Sequence, residues 1–336
     1  FDFTDYKYLL NLDSEKLGEV CIGCAGGNFT NITLPIHREP VKDKKLVRLD
    51  IYGLLGGHSG QDIHKGRFNA IKVMVEILRQ IENRNNKFSI VDFEGGAAAN
   101  RIPDEAFVTL AVDTETAEKL LGEIEHEEEY FRRIAAQRDE SVELKIDYRD
   151  LDEVAESALT TESSRKVIDI INYLPSEPIS YSEEIPGLVQ TSTNLGKVQL
   201  NMDRLEVRML SRSSNQVELE DLNSRLTRDG ENYGASLAHE DPFPGWDGDS
   251  GSEIVSLVKA QYEKLTGSEM DLDITHAGVE CGALLQRPQL SHMQAVSFGP
   301  TIEWPHTVKE RVNISSIDTF YKLLKGIVGE IATQSR

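Results

Sequence analysis

Three stretches hold residues whose types and spacing could do chemistry. Leu54-Leu55-Gly56-Gly57-His58-Ser59-Gly60-Gln61-Asp62-Ile63-His64 is a loop of polar residues among glycines. With Gly53 it has the backbone freedom to present His58 and Ser59 at the end of an element. The others are His276-Ala277-Gly278-Val279-Glu280-Cys281-Gly282 and Gly299-Pro300-Thr301-Ile302-Glu303-Trp304-Pro305-His306. Asp13 follows a short apolar run, Leu9 to Leu12, and His306 follows another, Gln294 to Phe298. Strand ends are where open α/β sheets place ligands. An Asp and a His at neighbouring strand ends could coordinate a divalent metal, because carboxylate and neutral imidazole both suit zinc. Plainer alternatives stand beside these: a turn or helix cap for Asp13, a surface loop for His306, and a glycine-rich turn with an incidental histidine for His58.

The elements that must position these residues follow from periodicity. Leu46 to Tyr52 alternates as a strand and feeds the glycine loop. A helix follows near Arg67 to Asn83, with Ile71, Met74, Leu78 and Ile81 on one face. Strands at Phe88 to Phe93 and Ala106 to Val112, a long acidic helix from about Glu115 to Arg138 and a strand through Val142, Leu144, Ile146 and Tyr148 complete a split βαβ plan. After a polar stretch, Asp150 to Thr161, the order helix, strand, strand, helix recurs at Ser163 to Tyr173, Leu188 to Leu200, Leu205 to Ser211 and Val217 to Asp229. This suggests two related lobes. Before this region lie strands at Leu9 to Leu12, Gly18 to Cys24 and Asn31 to Ile36. After it come helix Ser252 to Leu265, strands Leu272 to Thr275 and Gln294 to Phe298, and a last helix from Ser316 to about Thr333. The expectation is one α/β unit made of residues 1–42 and 237–336, with 43–236 inserted between its halves.

Composition narrows the function classes. The 336 residues suggest two domains, and 39 % apolar with 28 % charged residues describes an ordinary globular chain. A net charge of -21 argues against nucleic acid and against anionic membrane surfaces, which need clustered Lys and Arg. No window approaches the ~18 apolar residues of a membrane span. Three cysteines cannot form a disulfide framework and point to a reducing compartment. Cys21 and Cys24 form a C-x-x-C, but in an apolar stretch with no second pair to complete a zinc site. The chain opens on Phe1-Asp2-Phe3-Thr4 and runs at once into what reads as a buried strand. A fragment of something longer is therefore expected.

Together, Cys24-Ala25-Gly26-Gly27, the 56–64 loop, Pro244-Gly245-Trp246 and the clusters at 276–282 and 299–306 resemble, in order, the bacterial Xaa-His dipeptidases of the M20 metallopeptidase clan. The resemblance runs from Leu10 to about Ile314. It implies an α/β mixed-sheet zinc-peptidase domain with an inserted α+β lid of two ferredoxin-like lobes. It implies two zinc ions, with manganese or cobalt able to substitute, a dipeptide substrate and a cytoplasmic location, and it allows a homodimer. Asp13 matches the aspartate ligand of one zinc and His306 the histidine ligand of the other. His58 matches a lid histidine that stabilises the oxyanion. Asn100 and Arg212 match lid positions that hold the substrate backbone and its carboxylate, a task suited to the arginine fork. For Arg212 the alternative is a salt-bridged surface arginine. Glu280 lies at the substrate site without an assigned role, while His64 and His276 read as structural or supporting. Arg101 departs from the family, which more often has a small residue there. The family's His-x-Asp pair, a further Asp and a Glu-Glu pair lie upstream of the strand where this chain begins. The chain is therefore expected to be inactive, or nearly so, by itself. Two other readings stay open: a non-catalytic relative that serves as a binding or dimerisation module, and another M20 hydrolase such as a deacylase.

Overall fold

The computed structural model describes residues 5–138, 142–183, 186–305 and 310–334. Two sheets organise them. In the smaller, Tyr8–Asn11 lies parallel to Gln294–Ser297, which meets Glu19–Cys24 through the pair Ser297 and Cys21. Glu19–Cys24 then pairs with Asp271–Thr275 in parallel and with Trp246–Asp247 in antiparallel. One face is closed by helices Glu253–Thr266 and Ile314–Gln334, whose Ile254, Val255, Val258, Leu323 and Ile327 pack on Val20, Ile22, Val296 and Phe298.

The larger sheet has nine strands. Its first half is Lys145–Leu151, Lys45–Tyr52, Ala106–Val112 and Phe88–Gly95, in that spatial order. With helices Ala70–Asn83 and Thr114–Arg138 this is the split βαβ lobe expected from periodicity. Ile71, Met74, Leu78 and Ile81 are all fully buried. Truncating any one to alanine would cost about 2–5 kcal/mol. The helix starts at Ala70 rather than near Arg67 because the Asn69 side chain accepts the N–H of Ile71 at 3.0 Å and of Lys72 at 3.4 Å.

The second half is Val189–Leu200, Arg204–Ser213, Gly26–Pro35 and Ser236–Phe243, with Glu177–Tyr181 paired to Val189–Leu200 off this path. Helices Thr161–Tyr173 and Gln216–Asn232 belong to it. This lobe takes its first strand, Gly26–Pro35, from before the first lobe in the chain. Phe88–Gly95 and Val189–Leu200 join the halves, with Val198 opposite Gly95. Sheet membership therefore passes to the lid at about residue 25 and back at about residue 244, outside the expected boundaries of 43 and 236. The reason lies in burial. Ser236–Phe243 is an edge strand with most residues exposed, so it lacks the alternation that marks a strand in sequence. The polar stretch 150–161 is likewise not a mere separator, since Ser157–Leu159 pairs with Arg38–Pro40.

Candidate functional site

A cleft of about 820 Å³ lies between the two sheets. Its lining includes Asp13, His58, Arg212, His276, Glu280 and Pro305, so residues up to 292 positions apart in the chain meet at one opening.

Asp13 stands two residues beyond the Tyr8–Asn11 strand and is exposed to the cleft. The strand beside it, Gln294–Ser297, is its parallel neighbour, with Asn11 opposite Ser297. Ser14 Oγ and Ser297 Oγ are 2.7 Å apart and hold the two strand ends together. Pro305 reaches the cleft, and His306 lies outside the described residues. Glu280 opens the short helix Glu280–Leu285 and accepts a hydrogen bond from Asn11 Nδ2 at 3.0 Å.

His58 is buried to 8 % exposure. Its Nδ1 accepts the backbone N–H groups of Gly60 at 3.2 Å and Gln61 at 3.1 Å. A nitrogen that accepts twice carries no proton, so the imidazole proton sits on Nε2. The His58 N–H donates to Asp62 Oδ2 at 2.8 Å, and Gln61 Nε2 donates to Glu15 Oε2 at 2.7 Å, fastening the loop to the segment that carries Asp13. Asn100 is not among the residues that line the cleft. Its carbonyl accepts the Ser59 N–H at 2.9 Å. Asn194 Nδ2 in turn holds the carbonyls of Ala99 and Arg101, each at 2.8 Å. Arg101 sits opposite His58 in a short ladder and pairs with Asp104 at 3.2 Å.

Arg212 is 5 % exposed and lies over the Phe243 ring at 5.4 Å. Its Nε has no hydrogen-bond partner, and no carboxylate pairs with it among the described residues. It is therefore not a salt-bridged surface arginine. Burial pushes its guanidinium down to about 10. A buried cation without a counter-charge is costly unless an anion visits it.

His276, at the end of Asp271–Thr275, is 7 % exposed and meets Ser192 Oγ through Nε2 at 2.7 Å. Burial, helped by the nearby Arg212 guanidinium, pushes it down to about 3, so it is neutral. Ser192 belongs to Thr191-Ser192-Thr193-Asn194, four polar residues each at most 1 % exposed. An unbroken run of polar residues within a strand is a sequence signal for such a site, and periodicity alone passes over it. The cysteines are free and buried, packed against Trp246 and Ala295. Burial raises Cys21 and Cys281 to about 12. Among the described residues no three His, Cys, Asp or Glu side chains converge as a metal site would require.

Residues 50–139 match the family model of the peptidase dimerisation domain. The chain is 34 % identical over 324 residues to the cytosol non-specific dipeptidase of Escherichia coli K12, covering 96 % of this chain and 66 % of that protein. It superposes on the crystal structure of the aminoacylhistidine dipeptidase from Vibrio alginolyticus with a TM-score of 0.80 at 31 % identity, covering 96 % of this chain and 65 % of that one. The chain thus spans just under two thirds of the length of each.

Proposed function

Because the chain belongs to the M20 metallopeptidase family, we propose that it is the lid-bearing part of a dipeptidase that grips its substrate through Arg212. The observation that carries this reading is a 5 % exposed guanidinium on the wall of the cleft without an acidic partner among the described residues. The free C-terminal carboxylate of a peptide supplies the missing charge in a shape that a guanidinium fork receives with two hydrogen bonds. Beside it, His58 presents a proton on Nε2 while its Nδ1 is held by two backbone donors. A donor fixed in this way stabilises the oxyanion that forms when water attacks the scissile carbonyl. Glu280 stands across the cleft as a further polar contact. Asn100 supports the His58 loop through its carbonyl.

Asp13 and His306 are the proposed metal ligands of this chain. The described residues by themselves do not assemble a metal site, whereas Arg212 and His58 meet the substrate through their own N–H donors. Two zinc ions, or manganese or cobalt in their place, remain part of the proposal for the whole enzyme. The dimerisation-domain match at 50–139 supports a homodimer, which sedimentation of the chain tests. No helix among the described residues is long and apolar enough to cross a membrane. A cytoplasmic location follows from the same reading.

The test has two arms. Residues 1–336, exposed to zinc and dialysed, should retain almost no tightly bound metal and should not hydrolyse Xaa-His dipeptides. Two zincs per chain with turnover would overturn the partial-site reading. In the active protein that contains this chain, Arg212→Met should raise KM for a dipeptide about a hundredfold and leave the dipeptide amide unaffected. Equal effects on both substrates would remove Arg212 from carboxylate recognition. Activity only on N-acyl amino acids would move the chain to another branch of the family.

A further inference from the structure

The residues proposed to hold the substrate come from different lobes, His58 from the first and Arg212 from the second. Both rest on one short segment of the smaller unit, His276-Ala277-Gly278. On the first side, a Cβ added at Gly60 would stand 2.9 Å from the His276 carbonyl oxygen, 3.2 Å from Ala277 Cα and 3.1 Å from His58 Cε1. The His58 loop therefore lies in direct contact with this segment, and only glycine allows the approach. On the second side, Ser192 faces Arg212 across the antiparallel pair of Val189–Leu200 and Arg204–Ser213. The His276 imidazole meets the Ser192 hydroxyl at 2.7 Å. Gly278 leaves room for the Arg212 end of the same wall, since a Cβ there would stand 3.3 Å from Phe243 and 3.9 Å from Arg212 Nη1.

We propose that His276 is a positioning residue: through Ser192 it fixes the spacing between Arg212 and His58 and so sets the length of peptide the cleft accepts. In a dipeptide, a single residue separates the scissile carbonyl from the terminal carboxylate. Each further residue adds about 3.3–3.6 Å to an extended chain. A clasp that keeps the carboxylate clamp one residue away from the oxyanion donor therefore admits a dipeptide and rejects its C-terminally extended tripeptide. Both sides of the clasp are buried, with Ser192 at 1 % and His276 at 7 % exposure, so water does not readily replace the bond. His276 touches neither the carboxylate nor the scissile bond. It acts through Ser192 and the strand that carries Arg212.

The inference rests on the carboxylate reading of Arg212, and the experiment separates the two. In the active protein that contains this chain, kcat and KM are measured for a dipeptide, its amide and the C-terminally extended tripeptide. Ser192→Ala removes the hydroxyl. The expected result is a KM about tenfold higher for the dipeptide, little change for the amide, and a dipeptide-to-tripeptide preference reduced about tenfold. His276→Gln, which can place a polar nitrogen near the position of Nε2, should restore most of the preference relative to His276→Ala. An unchanged preference in both Ser192→Ala and His276→Ala overturns the proposal. So does an equal loss on dipeptide and amide, the mark of a merely structural clasp. If the unaltered enzyme cleaves amide and dipeptide equally well, the carboxylate reading fails first, and the gauge falls with it.

Discussion

The Lys72 ammonium lies 2.6 Å from the carbonyl oxygen of Asn172, across the seam between the two lid lobes. It also donates to Ile171 and Leu174, each at 2.9 Å. These carbonyls close helix Thr161–Tyr173, where the helix itself offers no donors and where positive charge is favourable. Burial pushes the ammonium down to about 8. The folded state therefore binds this proton less tightly than the unfolded chain, whose lysine titrates in the ordinary range. Stability should rise as pH climbs from about 8 towards that range. Urea unfolding at pH 7 and pH 10 should show the wild type gaining on Lys72→Met by at most about 3 kcal/mol, a bound the three carbonyls lower because they favour the charged form. A difference that is flat or falls with pH would contradict this.

Asp62 governs the His58 loop from below. Its carboxylate accepts the His58 N–H at 2.8 Å and pairs with Lys65 at 2.7 Å and Arg67 at 3.0 Å. Burial works to raise this carboxyl, but Lys65, the His58 N–H and Arg67 together hold it below the usual carboxylate range. Its stabilisation is therefore complete above the unfolded value and is lost as pH falls through the lower folded value. Asp62→Asn should loosen the loop by about 1–3 kcal/mol. Hydrogen exchange at the Gly60 and Gln61 amides, which bond His58 Nδ1, reads this directly. Exchange as slow in Asp62→Asn as in the wild type would show that the loop does not depend on the carboxylate.

The glycine loop was legible in the sequence because its chemistry is local. Gly56 to Gly60 can only be a special backbone, and its neighbours Asp62 and Gln61 lie within reach. The apolar stripe of Ile71, Met74, Leu78 and Ile81 was legible for the same reason. What escaped depends on pairing between distant segments. Gly26–Pro35 belongs to the second lobe because Arg204–Ser213 and Ser236–Phe243, far along the chain, pair with it. Ser236–Phe243 has no buried face to give it a period. Ser192 gains meaning from His276, 84 positions away, and no spacing rule connects them. The sequence places Asn100 at the substrate by resemblance, but only the structure shows that its carbonyl also accepts the Ser59 N–H of the loop.

Arg212 separates stability from function. Its guanidinium is buried without a carboxylate among the described residues, and burial alone pulls it down to about 10. Replacing a buried, uncompensated charge by an apolar side chain of similar length removes its desolvation cost without breaking an ion pair. Arg212→Met should therefore melt no lower than the wild type, and higher if Met fills the space over Phe243. The same variant should lose carboxylate binding. A large drop in melting temperature would mean that the arginine is held by a structural partner, and the cleft would lose its anion site.

The three thiols offer a test of burial beside the same cleft. Cys21, Cys24 and Cys281 share a small apolar cluster with Trp246 and Ala295. Desolvation raises all three, Cys21 and Cys281 to about 12. The thiolate is the reactive form, so at pH 8 a group titrating near 12 is ionised in only about one molecule in ten thousand. A thiol reagent should therefore label the native chain at least about a hundredfold more slowly than the denatured chain, with a rate set by opening of the cluster. Fast native labelling of Cys21 and Cys24 together would instead revive the C-x-x-C as a redox or metal pair. Cys281 follows Glu280 at the start of its helix, so its protection also reports whether that wall of the cleft stays closed. Labelling of Cys281 ahead of the other two would locate the first opening at the Glu280 helix rather than in the sheet beneath it.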